Sequence, residues 1–323
     1  MNINKWIRTG ALSALTLGLA GASVTAAASY PDRTIRVVVP FAAGGGVDAL
    51  ARPFAKEFSQ ILGQSVVVEN KPSNTGQIGA TDVARARPDG YSVLLTSAAF
   101  GTTPAFYPDV PYDPVKDFSP VMIMAVAPQV MVANKNFKGN SIAEIIDMVK
   151  RKDRVNVALS GSTGMQSLAT AQLESQAKIG FLKVPYKGAG AAFIDLISGE
   201  VDLMIDNPAS SLVHVRSDKL KVIATTGEKR MSILPDVPTV GETLPGFEAR
   251  NWFVLAVPKD TPKEVIDTLN KAARQALETP ALKDMLARDG TEVVAGTPAE
   301  AQAFIAKEVA RWAKVVKDGN LQP

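Results

Sequence analysis

Cysteine is missing from the 323-residue sequence. That excludes disulfides, thiolate metal sites and thiol nucleophiles, and it leaves the apolar core to hold the fold. Histidine is nearly missing. His214 is the single one, in the run Ser211-Leu212-Val213-His214-Val215-Arg216. One imidazole in such a run reads as a surface or helix-end residue, and it supports neither a multi-histidine zinc site nor Ser-His-Asp catalysis. No G-x-S-x-G turn is present. No metal or cofactor is expected, and a hydrolase reading lacks its nucleophile and base. Runs of Lys and Arg are also lacking. The formal net charge is +3, and Lys5 and Arg8 account for two of the 35 basic residues, so the rest nearly balance the 32 acidic ones. Neither nucleic acid nor an acidic membrane surface is an expected partner.

Residues 1–28 read as a secretory signal. Lys5 and Arg8 form a basic start, Ala11 to Val24 an apolar run, and Ala26-Ala27-Ala28 a small-residue cleavage pattern. The run is roughly 14 residues, short for a membrane span. A retained anchor is the alternative, weakened by Gly18, Ala20, Gly21 and Ala22. The expected location is the periplasm.

After the signal, strand and helix patterns alternate. Thr34 to Val39, Ser65 to Glu69 and Tyr91 to Thr96 read as strands, and Asp48 to Leu62 and Ile78 to Ala86 as helices. This βαβαβ order predicts a parallel sheet with helices on both faces. Asp48 reads as the N-cap of its helix, and Pro53 predicts a kink or a later start. Ser97 to Pro120 reads as a loop. A second αβ region follows. Its helix from Ser141 has Glu144 as a capping-box partner. Strands Val155 to Leu159, Phe181 to Pro185 and Val201 to Ile205 alternate with helices Met165 to Lys178 and Ala191 to Ser198. Three amphipathic helices close the chain, each with threonine before proline (Thr261-Pro262, Thr279-Pro280, Thr297-Pro298), which predicts a threonine cap with proline at the first helical position. The long apolar runs Val121 to Val132 and Asn251 to Val257 bracket the middle unit and read as paired crossover strands. The expected division is 29–126 plus 252–323 for one lobe and 127–251 for the other.

Four Gly/Ser-rich turns sit between a strand-like run and a helix-like run. They are Phe41-Ala42-Ala43-Gly44-Gly45-Gly46, Ser73-Asn74-Thr75-Gly76, Gly161-Ser162-Thr163-Gly164 and Lys187-Gly188-Ala189-Gly190. The first has neither the Gly-Lys-Ser/Thr ending of a phosphate loop nor the G-x-G-x-x-G spacing of a dinucleotide turn. Glycine lets backbone N–H groups approach a ligand closely, and a helix N-terminus carries about half a positive charge. Converging, the four would supply roughly two units of positive potential, suited to a small carboxylate. Phe41, Gly44, Gly45 and Gly76 are the candidates from the first two turns, with Ser97 and Ala98 at the end of the third strand. Ser162, Thr163, Gln166 and Ser167 place hydroxyl and amide donors at a helix start, either for the ligand or as helix caps. Tyr186 and Lys187 stand at the fourth turn. Asp206 ends the strand Val201 to Ile205, where it either faces the ligand edge of the sheet or caps the turn at Asn207-Pro208. None of the four turns contains arginine, so recognition leans on backbone donors, hydroxyls and ordered water. Arg250 is the one arginine placed to approach the cleft.

Taken together, several segments resemble the Bug-type solute receptors of the tripartite tricarboxylate transporter family. They include Val39-Pro40-Phe41 with Gly44-Gly45-Gly46 and Asp48, Val68-Glu69-Asn70-Lys71-Pro72, Gly76-Gln77-Ile78-Gly79-Ala80 and Pro88-Asp89-Gly90-Tyr91. Further on come Pro111-Tyr112-Asp113-Pro114, Val184-Pro185-Tyr186-Lys187-Gly188, Asp206-Asn207 and Leu234-Pro235-Asp236-Val237-Pro238. The resemblance implies an α/β, two-lobed type II periplasmic binding protein fold with two crossover strands. It implies a monomer that is no enzyme and that captures a small organic acid (a di- or tricarboxylate, amino acid or aromatic acid) for the membrane subunits of a secondary transporter. Ser167, where histidine is frequent, and Arg250, where a small residue is common, depart from the family pattern. A ligand sensor feeding a membrane signalling partner is the alternative, ahead of a secreted hydrolase.

Overall fold

The computed structural model describes residues 30–73, 75–159, 164–186, 189–288, 290–319 and 321. The expected signal, residues 1–28, lies outside them. In the first half the chain runs β1 (Ile35–Val39), α1 (Gly46–Leu62), β2 (Val66–Asn70), α2 (Gln77–Ala84), β3 (Ser92–Ser97), α3 (Ala99–Phe106), β4 (Phe118–Pro128), β5 (Val130–Asn134) and α4 (Ile142–Lys150). It continues through β6 (Asn156–Leu159), α5 (Met165–Ala177), β7 (Leu182–Pro185), α6 (Ala189–Ser198), β8 (Leu203–Asp206), α7 (Pro208–Arg216) and β9 (Leu220–Thr225). It ends with β10 (Arg250–Pro258), α8 (Lys263–Leu277), α9 (Pro280–Arg288), β11 (Glu292–Val293) and α10 (Pro298–Asp318).

Two mixed sheets result. The first has the order β11-β4-β10-β3-β1-β2 and the second β7-β6-β8-β5-β9. β1 lies parallel to both β2 and β3, with Val37 opposite Val68 and Val93. Its near-continuous Ile-Arg-Val-Val-Val run suits a strand covered on both faces. In the second sheet β6 is parallel to β7 and β8, while β5 is antiparallel to β8 and β9. The two long apolar runs meet: β10 lies antiparallel to β4, Trp252 opposite Val126. A single residue, Gln129, separates β4 from β5, so the chain changes sheets there. It returns through 226–249, where Ala249 N–H donates to Thr226 C=O at 2.9 Å and Thr226 N–H donates to Gln129 C=O at 2.9 Å. One apolar cluster spans the join, from Val38, Leu94 and Val254 to Met131, Leu203 and Ile223.

The closing helices cover the first sheet. α8 buries Val265, Leu269, Ala273, Ala276 and Leu277 against Phe54 and Phe58 of α1. These 3–4 residue intervals are one helical face, and each buried leucine contributes about 1.5–3 kcal/mol. α10 buries Ile305 and Trp312 in the cluster that also holds Trp252.

Several local expectations change. Ala99–Phe106 is a helix, not loop, although it contains Gly101, Thr102, Thr103 and Pro104. Tertiary packing forms it: a methyl added at Gly101 would stand 3.1 Å from Trp252 Cζ2, so the backbone lies directly on that ring. α1 starts at Gly46 with Gly45 as N-cap and passes through Pro53. Asp48 therefore sits in the first turn, where its carboxylate reaches back to the Gly44 N–H. Thr297 forms a full capping box with Glu300, as its spacing predicts. Thr261 does not cap α8; Pro262 holds that position, and the Thr261 hydroxyl donates to Pro258 C=O at 2.7 Å. Thr279 turns its hydroxyl back to Ala276 C=O in the same way. Ser141 caps α4 through the Glu144 N–H, but Glu144 returns its carboxylate to the Asn140 N–H and not to Ser141.

Candidate functional site

β3 and β8 end at one cleft of about 660 Å³, within the range of small-molecule sites, and Phe41, two residues past β1, lines it too. Five helices begin at its wall. α1 contributes Gly45, Gly46 and Val47; α3 contributes Ala98 and Ala99; α5 contributes Gly164, Met165 and Gln166. Ala189 opens α6, and Asn207 to Ser210 open α7. Each helix start carries N–H groups that lack an intrahelical acceptor and about half a positive charge. The N-cap residues Gly45, Ala98, Gly164 and Asn207 offer no side-chain cap. Away from the cleft, α4 and α10 are capped by Ser141 and Thr297. Four uncapped starts thus meet at the cleft, where an anion would find them, while α2 and α8 begin uncapped away from it.

The rest of the wall combines apolar Phe41, Val47, Ala127, Met165 and Phe253 with polar Ser97, Asn251 and Thr291. Among the described lining residues there is no Lys, Arg or His, and the one charged side chain is Asp206. Asp206 is 1% exposed. It accepts from Gln166 Nε2 at 3.3 Å and from the Ser210 hydroxyl. Burial pushes its carboxyl above the usual range, opposed by the bonds from Ser210, the Asn207 N–H and Gln166.

The first turn is fixed from behind. Asp48 accepts Gly44 N–H at 2.9 Å, Arg52 Nε at 2.8 Å and Asn70 Nδ2 at 2.9 Å. The Arg52 and Gly44 bonds hold its carboxyl down at about 2. Asn70 also donates to Phe41 C=O at 3.1 Å, so one carboxylate and one amide set the turn that carries Phe41. Gly44 takes a φ of +81°, a left-handed conformation natural to glycine.

Of the sequence candidates, Phe41, Gly45, Ser97, Ala98, Gln166 and Asp206 come together on the cleft wall. Gly44 shapes the turn through Asp48 and is not on the wall. Gly76 lies behind the wall: a methyl on it would stand 3.2 Å from Phe41 Cζ, so the glycine seats that ring. Ser167 is buried within α5. Tyr186 donates to Asp195 at 2.6 Å, away from the wall, and burial and that carboxylate push its hydroxyl up to about 12. Ser162, Thr163 and Lys187 lie outside the described residues. Arg250 pairs with Glu248 and does not line the cleft.

Sequence reasoning missed Asn207, Ser210, Asn251, Phe253 and Thr291 on the wall. Proline at the first position of α7, directly after a strand ending in Asp206-Asn207, was the available signal for Asn207 and Ser210. Asn251 accepts Ala98 N–H at 3.2 Å across 153 residues, a contact no local pattern announces.

The family of tripartite tricarboxylate transporter receptors matches residues 50–321. Protein BugT of Bordetella pertussis is 34% identical over 322 residues, 98% of each chain. The solved structure of the periplasmic binding protein BugD is 37% identical, covers 91% of this chain and 99% of its own, and superposes with a TM-score of 0.76. That of R. palustris Rpa4515 with adipate is 32% identical, covers 91% and 99%, and gives 0.79. No described helix is long and apolar enough to cross a membrane. With its two α/β sheets joined beside a cleft of uncapped helix starts, the chain belongs to the tripartite tricarboxylate transporter family of receptors, solute-binding proteins and not enzymes.

Proposed function

We propose that this protein is a monomeric periplasmic receptor that captures a small carboxylated solute and delivers it to the membrane subunits of a tripartite tricarboxylate-type transporter. The observation that carries the reading is the gathering of uncapped helix N-termini at a cleft with no cationic side chain among its described lining residues. A carboxylate satisfies several of those N–H groups at once, and the oriented backbone costs no side-chain entropy to hold it. The relative bound to adipate supports an organic acid as the ligand class. Phe41, Gly45, Ser97, Ala98, Gln166 and Asp206 form the contact surface. Gly44 and Gly76 shape it, and the turns of the second lobe that carry Ser162, Thr163 and Lys187 close over the ligand; Ser167, buried within α5, and Tyr186, bonded to Asp195, stand outside the contact surface. The lobes are 29–126 with 252–323, and 127–251, after an exported signal of residues 1–28.

A thermal-shift screen of di- and tricarboxylates, amino acids and aromatic acids tests this. A ligand at about 100 times its Kd adds about 2.7 kcal/mol to stability. No stabilisation by any acid at millimolar concentration counts against the reading.

A further inference from the structure

The cleft wall carries one feature that carboxylate capture does not need: a buried carboxyl group. Asp206 ends β8, is 1% exposed, and stands on the same wall as the helix starts. A buried charge is tolerated when it is paired or well hydrogen-bonded. Its donors come from Gln166 Nε2 at 3.3 Å, the Ser210 hydroxyl and the Asn207 N–H. Two of the three, the Gln166 amide nitrogen and the Asn207 N–H, can only donate, which suits the ionised, acceptor-only form; the Ser210 hydroxyl also has Asn207 C=O as an acceptor at 3.0 Å. Gln166 lies in the first turn of α5 and Ser210 in the first turn of α7, so two positive helix ends favour that form too. An ionised carboxylate has about four acceptor positions. These three groups do not fill them all, and Asp206 is one of the residues that line the cleft. No Lys, Arg or His among the described lining residues neutralises it.

We propose that Asp206 is a specificity-determining residue, and that the solute carries a hydrogen-bond donor, an ammonium or hydroxyl group, which it gives to Asp206 while its carboxylate takes the helix starts. The inference rests on the receptor reading and narrows it to amino and hydroxy acids. A plain acid entering the cleft displaces water beside Asp206 and offers it no donor in return, whereas a donor-bearing acid replaces that water with a charge-assisted hydrogen bond. A second carboxylate placed at that end meets like charge in a site shielded from water. Both effects point the same way. The helix starts set the requirement for an acid, and Asp206 sets what else that acid must bear.

Calorimetry at neutral pH with three matched sets tests the proposal: succinate, malate and aspartate; glutarate, 2-hydroxyglutarate and glutamate; 3-phenylpropionate, phenyllactate and phenylalanine. In a set that binds, a donor-bearing member should bind at least about tenfold tighter than the plain acid, as expected for a hydrogen bond to a charged group. Asp206→Asn should shrink that preference to about threefold or less. The ranking on the unaltered protein decides the matter even if the variant folds poorly, which circular dichroism monitors. Plain acids binding as well as or better than their donor-bearing partners overturns the role of Asp206 and leaves the receptor reading standing. Binding of no member of any set, together with a silent thermal-shift screen, overturns both.

Discussion

Gln129 and Thr226 hold each other where the chain passes between the two sheets. Gln129 N–H donates to Thr226 Oγ1 at 2.8 Å, Thr226 N–H donates to Gln129 C=O at 2.9 Å, and the Thr226 hydroxyl donates on to Ala249 C=O. Both residues are fully buried. One hydroxyl therefore ties together the outgoing pass, the returning pass and the entry to β10. Thr226→Val keeps the shape and removes the oxygen, leaving the Gln129 N–H and the Ala249 C=O without that partner. The expected loss is about 2–4 kcal/mol, since each unmet buried group costs about 1–3. Thr226→Ser should recover most of it. Urea unfolding of both variants checks this, and a valine variant within about 0.5 kcal/mol of the parent would refute it.

Closure about these passes is the second expectation. Gln129 Nε2 reaches Asn207 Oδ1 at 3.1 Å, and Asn207 opens α7 on the cleft wall. A movement of the join is thereby passed to the site, and the reverse holds by linkage. Small-angle scattering with and without a saturating ligand should show a more compact bound particle. Identical profiles would mean that the lobes do not close on the solute.

Asp48 gives a prediction with a pH sign. Its carboxyl sits at about 2 when folded, because it takes hydrogen bonds from Arg52 and the Gly44 N–H; the unfolded value is about 3.9. A depressed folded value means stability that is complete above the unfolded value and lost as pH falls through the folded one. Asp48→Asn should destabilise the protein near pH 6, and the gap between variant and parent should narrow as pH falls from about 5 toward 2. It should also weaken ligand binding, because the Gly44 and Asn70 contacts position Phe41. Urea melts across that pH range decide it; a gap independent of pH would show that the charge does no work there.

Strongly patterned segments were legible from sequence. β1 and β3 are apolar runs, α8 repeats Val265, Leu269, Ala273 and Leu277 along one face, and Thr297-Pro298 with Glu300 is a capping box whose partners are only three residues apart. Segments shaped by distant contacts were not. α3 has glycine, two threonines and a proline, and it is helical because it packs on Trp252. α7 reads Pro-Ala-Ser-Ser-Leu-Val-His-Val-Arg without an apolar stripe, so it and β9 after it went unread. The same division runs through the site. Glycine turns after strands were visible as candidates, and Gly45 and Gln166 followed from them. Asn251 and Phe253 come from β10, more than 150 residues from the Ala98 and Ser97 they meet, and only the antiparallel register of β10 on β3 brings Phe253 beside Ser97.

Gly45 offers the sharpest test of how the carboxylate is held. Its φ is −75° and its ψ 169°, so a side chain there meets no left-handed strain. A methyl would stand 3.2 Å from Ala42 C=O, a tight contact that a small shift of the turn relieves. Gly45→Val should therefore fold, while its added methyl groups crowd the start of α1 on the cleft wall. Loss of binding by more than about tenfold is expected if N–H groups must approach the ligand closely. Lys187→Ala should cost far less if backbone N–H groups and not a lysine cation hold the carboxylate. Calorimetry on both variants, with circular dichroism to confirm folding, separates two ways of binding an acid. Normal binding by Gly45→Val with abolished binding by Lys187→Ala would transfer the carboxylate from the helix starts to a lysine salt bridge.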